Sequence, residues 1–160
     1  MTLADRRGGR HDGRMPLPEA DSSVGHSFSL EIDGVQIAGI AEVSGLALER
    51  DVIETKETAP DGTVIIRKLP GRPKAGEVTL IRGLTADLRF ENWVRTLRSE
   101  PATARKTGSI NVFNFEGARL RRYRLVNAWP KSLEIGALKA GDTSVLTEKL
   151  TLLCDRLEPE

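Results

Sequence analysis

Apolar and polar residues alternate with a period of two over much of the chain, so strands dominate the expected structure. FSLEI at 28–32 and VQIAG at 35–39 flank Asp33-Gly34, a pair suited to a tight hairpin turn with positive φ at both centres. A two-residue turn sets Ile32 opposite Val35, Leu30 opposite Ile37 and Phe28 opposite Gly39 on one apolar face. Ser29, Glu31, Gln36 and Ala38 share the other, and Gly39, which breaks the alternation, marks a bulge. Residues 45–57 read as extended, with Leu46 and Leu48 alternating, and Ala59-Pro60-Asp61-Gly62 reads as a turn. TVIIRKL at 63–69 and EVTLIRG at 77–83 are strands. PGRPKAG between them is a loop, because two prolines and two glycines are poorly suited to a ladder.

The period then changes. Within residues 85–98, Phe90, Trp93, Val94 and Leu97 follow the i, i+3, i+4, i+7 spacing of one helix face. Thr85 is the expected N-cap, Asp87 falls in the first turn, and Pro101 follows the end. SINVFNF at 109–115 and ARLRRYRLVNAW at 118–129 flank Glu116-Gly117 as a second hairpin. In the closing strand at 144–156, Leu146, Leu150, Leu152 and Cys154 share one face; Val145, Thr147, Lys149 and Thr151 share the other. Seven or eight strands with one helix predict a mainly β fold, a small antiparallel barrel or two packed sheets, with one flanking α-helix.

Composition places this in a single domain. The chain has 160 residues and 39% hydrophobic content, enough to bury a core without disulfide staples. Residues 1–25 are rich in Arg, Gly, Asp and Pro and lack apolar periodicity, which predicts a flexible tail before a domain at 26–160. They also lack the continuous apolar stretch of a signal peptide. With 24 Lys plus Arg against 23 Asp plus Glu, the net charge of +1 gives no general pull toward nucleic acid or an anionic membrane. No apolar run approaches the roughly 20 residues of a spanning helix.

Chemistry-bearing motifs are sparse. Gly71 to Gly76 has the glycine spacing of a phosphate-binding loop, but Glu77 stands where the lysine belongs and a strand follows. His11 and His26 sit in or beside the tail, and no Cys/His set has metal-ligand spacing. Cys154, on the apolar strand face, reads as a small buried hydrophobe. Phe113, Phe115, Leu120, Arg122 and Arg124 would share one face of the second hairpin, with Arg119, Arg121 and Tyr123 on the other. Aromatics interleaved with arginine suit single-stranded nucleic acid. The near-zero net charge instead favours a core role for Phe113 and Phe115 beside a wet arginine surface. These residues predict neither an enzyme nor a cofactor site; a nucleic-acid-binding barrel and a small-molecule or enzymatic barrel are the competing classes.

One charge pattern remains. Residues 49–61 carry the acids Glu49, Asp51, Glu54, Glu57 and Asp61 against Arg50 and Lys56, whereas 62–76 carry Arg67, Lys68, Arg72 and Lys74 and no acid. Such segments either pair within one hairpin or offer complementary surfaces for head-to-tail stacking.

The order of motifs resembles the tail tube family of contractile phage tails and phage-like injection systems. FSLEIDGVQIAGIAEVSGL at 28–46, RKLPG at 67–71, LIRGLT at 80–85 and NAWPKSLEIGALKAGDTSVLTEKLTL at 127–152 carry the likeness, over about residues 26–157. The resemblance implies a β-barrel with a flanking helix, hexameric rings stacked into a hollow tube, no catalysis and no cofactor. Implied partners are further copies of the chain, a surrounding sheath, baseplate and terminator proteins, and lumenal cargo. The implied location is the bacterial cytoplasm during assembly, then a virion tail or injection particle. The family's stacking hairpin maps onto about residues 45–76, making Glu49, Asp51, Glu54, Glu57, Arg67, Lys68, Arg72 and Lys74 candidate stacking residues. Thr147, Lys149 and Thr151 are candidates for the lumen. The 25-residue leader, and AGDTSVLTEKL where the family often has a more acidic segment, depart from the pattern. They leave a main tube subunit, a second tube paralogue and a tube-initiating baseplate protein all open.

Because residues 1–25 carry no core pattern, their deletion is expected to leave tube formation intact; electron micrographs of the truncated protein without tubes would show the leader to be structural.

Overall fold

A computed structural model describes residues 27–141 and 143–160, so the expected tail lies outside the described residues. Described are strands β1 (Ser27–Ile32), β2 (Val35–Ser44), β3 (Arg50–Thr58), β4 (Val64–Pro73) and β5 (Gly76–Gly83), helices α1 (Arg89–Ser99) and α2 (Pro101–Ala104), and strands β6 (Lys106–Phe113), β7 (Arg119–Ile135), β8 (Thr147–Cys154) and β9 (Arg156–Pro159).

Six strands close on themselves. They pair in the order β6-β1-β2-β5-β8-β7, and β7 pairs back to β6, so the main sheet is a ring of antiparallel ladders. Closure removes the free edges that an open sheet would present. Strand β9 continues the line of β8 along β7, with Trp129 opposite Leu153 and Val126 opposite Arg156. Strands β3 and β4 form a separate two-stranded sheet.

The first hairpin follows its sequence. Asp33 (φ 50°) and Gly34 (φ 77°) make the turn, and Leu30 pairs with Ile37. The ladder then slips by one residue, and Phe28 faces Ile40 rather than Gly39, so the bulge expected at Gly39 is present. Two other expectations need correction. The helix starts at Arg89, with Leu88 at the N-cap and no side-chain cap bond. Thr85 instead receives the Asp87 N–H at 3.2 Å, and Asp87 Oδ1 receives the Arg89 N–H at 3.1 Å, so an extended turn displaces the start. Residues 70–73 belong to strand β4 and are not a loop: Pro70 faces Val52 and Pro73 faces Arg50, across a bulge. A two-stranded ribbon consists of two edge strands, where a proline lacking its N–H is tolerated. Pro130 likewise lies within β7, beside a register shift.

Inward residues from every strand of the ring form one core. Leu30, Ile37, Val78, Leu80, Ile110, Leu125, Leu150 and Leu152 are buried there, joined by Phe90 and Trp93 from α1. The Trp93 indole N–H donates to the Ala104 carbonyl at 2.6 Å, which ties α1 to α2.

The same alternation that buries Val78 and Leu80 carries Arg82 inward, and that of Leu152 and Leu150 carries Glu148 inward. Both side chains are almost wholly buried, at 3% and 2% exposure. Arg82 Nε donates to Glu148 Oε1, while the two terminal nitrogens donate to the Asp87 carboxylate at 3.1 Å and the Asp87 carbonyl at 3.0 Å. The guanidinium lies 4.0 Å above the centroid of the Phe90 ring. Hydrogen bonds from Arg89 first, and then Arg82, hold the Asp87 carboxyl well below the usual carboxylate range. Every nitrogen of the guanidinium therefore has a partner, a condition for tolerating a buried charge.

Glu148→Ala is expected to lower stability by about 3 kcal/mol, since it leaves a buried guanidinium short of one counter-charge. The double change Arg82→Met, Glu148→Leu should recover most of that loss in chemical denaturation; equal losses from both variants would mean that the pair does not act as a unit.

Candidate functional site

Chain geometry sets the β3–β4 hairpin apart from the ring. At Gly45 (φ +82°) the backbone leaves β2, and a Cβ there would overlap the Glu77 carbonyl oxygen, so this departure point needs glycine. The hairpin's root is held by the Lys74 N–H donating to the Glu49 carbonyl at 2.9 Å. At its tip, the Thr63 N–H and hydroxyl both donate to the Asp61 carboxylate.

Register brings several of the opposite charges together within the hairpin. Arg67 meets Glu57 at 3.1 Å, Lys68 meets Glu54 at 3.8 Å and Lys74 meets Glu49 at 3.4 Å, all within the hairpin. Each of these side chains is more than half exposed, so a pair adds about 0–1 kcal/mol. Three of the four bases of the second segment thus pair in cis with acids of the first. Among the eight candidate stacking residues, Asp51 and Arg72 make no ion pair among the described residues.

What the charge reading missed is apolar. Cross-strand partners share a face and neighbours along a strand alternate. One face therefore carries Val52, Val64 and Ile66, and the other carries Ile53, Ile65 and Leu69. All six are exposed, Val52 at 64% and Ile66 at 56%. Their β-branched run was legible as a strand, but not as a surface without a core beneath it. A two-stranded ribbon in water, with outer edges unpaired among the described residues and apolar groups on both faces, is marginal alone and invites association.

A second surface is polar. On the outer face of β2–β5–β8–β7, one cross-strand row reads Ser44, Thr79, Thr151, Ser132, and the next reads Glu42, Ile81, Lys149, Glu134. Lys131 bridges to Glu77 at 3.3 Å on the same sheet. Thr147, Lys149 and Thr151 share this outward face; Thr147 and Lys149 are exposed, and Thr151 is buried by its neighbours.

The second hairpin does not form an aromatic–arginine platform. Tyr123 packs against the core opposite Ile110, and Arg122 pairs with Glu160 at 2.9 Å and approaches Glu31 at 3.9 Å. Phe115, expected in the core, sits 79% exposed in the turn, where Asn114 Oδ1 accepts the N–H groups of Glu116 and Ala118. The turn is built around that asparagine rather than on Glu116-Gly117 alone, which moves Phe115 off the strand. Burial raises the Cys154 pKa, and its thiol lies 3.6 Å from the Gly76 carbonyl on the inner face of β8.

Comparisons with known proteins agree with this geometry. A search of curated proteins finds no match. Among solved structures, a chain of the PVC sheath-tube complex of an extracellular contractile injection system, in its extended state, superposes with a TM-score of 0.69 at 22% identity, covering 94% of this chain and 93% of that one. A chain from the anti-feeding prophage cap, described as the tube terminating cap, gives 0.69 at 23% identity, over 91% of this chain and 99% of that one. Hcp1 from Flavobacterium johnsoniae gives 0.53 at 16% identity, over 84% and 94%. At these identities the likeness establishes the fold. The family model described as T4-like virus tail tube protein gp19 matches residues 24–158. The chain belongs to the T4-like virus tail tube protein family.

Proposed function

We propose that this tube protein forms hexameric rings that stack through the β3–β4 hairpin into a hollow inner tube, with the polar face of β2–β5–β8–β7 toward the lumen. The observation that carries the reading is the hairpin itself, with apolar side chains on both faces and backbone edges that no other strand among the described residues covers. Both faces carry apolar groups, so the hairpin fits between two surfaces of a neighbouring ring better than flat upon one. Contacts of this kind join unlike surfaces and therefore repeat.

The hydroxyl-rich rows and nearly balanced charges around Thr147, Lys149 and Thr151 suit a wall past which cargo slides without an apolar patch to hold it. A surrounding sheath, a terminating cap and a baseplate are the expected partners: proteins of this fold come from a sheath-tube complex, a tube terminating cap and a baseplate. The expected setting is a phage tail or a phage-like injection particle assembled in the bacterial cytoplasm.

Reversing Arg67, Lys68, Arg72 and Lys74 to Glu should abolish tubes, but it also sets like charges together inside the hairpin. The cleaner test is Ile53→Asp with Ile66→Asp, one change on each face at exposed positions. The expected result is an unchanged circular dichroism spectrum and thermal midpoint, with tubes absent from negative-stain images. Normal-length tubes from this variant, or a wild-type protein that stays monomeric at high concentration, would sink the proposal.

A further inference from the structure

We propose that Thr63 guards the Asp61–Gly62 junction, its two hydrogen bonds shielding that peptide from isomerisation to isoaspartate. An Asp-Gly pair is open to this change because glycine has no Cβ to hinder attack by its own amide nitrogen. The sequence holds three such pairs: Asp12-Gly13, outside the described residues, Asp33-Gly34 at the first turn, and Asp61-Gly62 at the tip of the β3–β4 hairpin. The tip depends on its pair. Gly62 stands at φ +84°, with nothing within 4 Å of where a Cβ would lie, so the backbone angle rather than space requires glycine. Asp61 Oδ1 accepts the Thr63 N–H at 3.0 Å, a side-chain bond that shapes the turn. The vulnerable junction therefore comes with the turn, and Asp61, Gly62 and Thr63 are all exposed to water.

The reaction begins when the Gly62 amide nitrogen, losing its proton, attacks Asp61 Cγ. A C–N bond forms, one carboxyl oxygen leaves as water, and a five-membered imide results. Water then reopens the ring. Attack at the former main-chain carbonyl leaves the chain running through the Asp61 side chain, with one extra methylene in the backbone. The water lost is the water regained, and no other reactant takes part. Two conditions set the rate. The carboxyl must be neutral, since a carboxylate would have to expel an oxide, and the Gly62 nitrogen must be free to approach Cγ.

Both conditions are opposed at the tip. The Thr63 N–H and hydroxyl donate to the same oxygen, Asp61 Oδ1. Hydrogen bonds to a charged group favour its charged form. Here they hold the Asp61 carboxyl below the usual carboxylate range, the hydroxyl contributing most and the N–H next. The Gly62 N–H is engaged elsewhere, donating to the Ala59 carbonyl at 2.9 Å, and the Ala59 N–H closes the tip by donating to the Thr63 carbonyl at 2.8 Å. Asp33 is held differently. Its carboxylate meets Lys106 Nζ at 3.1 Å, between side chains 59% and 33% exposed, an ion pair that water and salt weaken. Asp33-Gly34 is therefore a reference site within the same chain.

The test stores full-length protein at neutral pH and raised temperature for weeks and follows isoaspartate at each site by peptide mapping. Thr63→Val keeps the branched shape and the backbone N–H but deletes the hydroxyl. It is expected to isomerise at Asp61 at least threefold faster than wild type, with the rate at Asp33 unchanged. Thr63→Ser, which restores the hydroxyl, should return Asp61 to the wild-type rate. Equal rates at Asp61 in wild type and Thr63→Val would overturn the proposal. A Thr63→Ser protein as labile as Thr63→Val would overturn it too, because the hydroxyl would then be irrelevant. A rise at Asp33 matching that at Asp61 would show general loosening of the chain and no guard.

Discussion

Everything in this molecule depends on where backbone hydrogen bonds find partners. A strand edge that faces neither water nor another strand is costly, and one that faces water invites further pairing. The ring of six strands meets the first condition by closing on itself, β7 to β6. The hairpin β3–β4 is left outside that closure: the chain departs from the ring at Gly45, and the Lys74–Glu49 backbone bond closes the hairpin's own root. A closed ring of ladders and a two-stranded ribbon with exposed apolar side chains are thus built from one chain.

The buried cluster of Arg82, Glu148 and Asp87 belongs to the same logic. Well-packed apolar residues would often hold a core as firmly as a buried ion pair. What charged groups add here is direction: a guanidinium fixes a carboxylate on β8, a carboxylate and a carbonyl ahead of α1, and an aromatic face of the helix, all at set angles. The segments that surround the end of the β5–β8 ladder are therefore oriented from within.

Much of this fold was legible in the sequence wherever one pattern acted alone. Asp33-Gly34 dictated the first turn, Gly39 the bulge, and the spacing of Phe90, Trp93 and Leu97 the buried helix face. Reading failed where two effects competed. Pro70 and Pro73 argued against a strand, and were overridden because an isolated ribbon asks little of its outer N–H groups. Thr85 looked like a cap, but Asp87, drawn toward Arg82 and Arg89, took the bond to the first turn. Phe115 looked like core until Asn114 built a wider turn. On the hairpin, charge was the visible signal, and the exposed apolar character that accompanies it was not. Alternation alone does not tell a strand with a core beneath it from one with none, so Val52, Ile53, Ile65 and Ile66 were recognisable as strand residues without revealing that they face outward. The inward turn of Arg82 and Glu148 was equally hidden, since each looks like any polar residue at the end of a strand.

The isolation of the hairpin also bears on timing. A ribbon of two strands, with no third strand and no core behind it among the described residues, would gain much of its order from a surface it docked against. Under the stacking proposed above, the first encounter between free subunits would order two such ribbons for little return, whereas addition to an existing assembly would order one. On that footing growth would be fast and spontaneous starts rare, which would leave the place and moment of construction to whatever supplied the first layer.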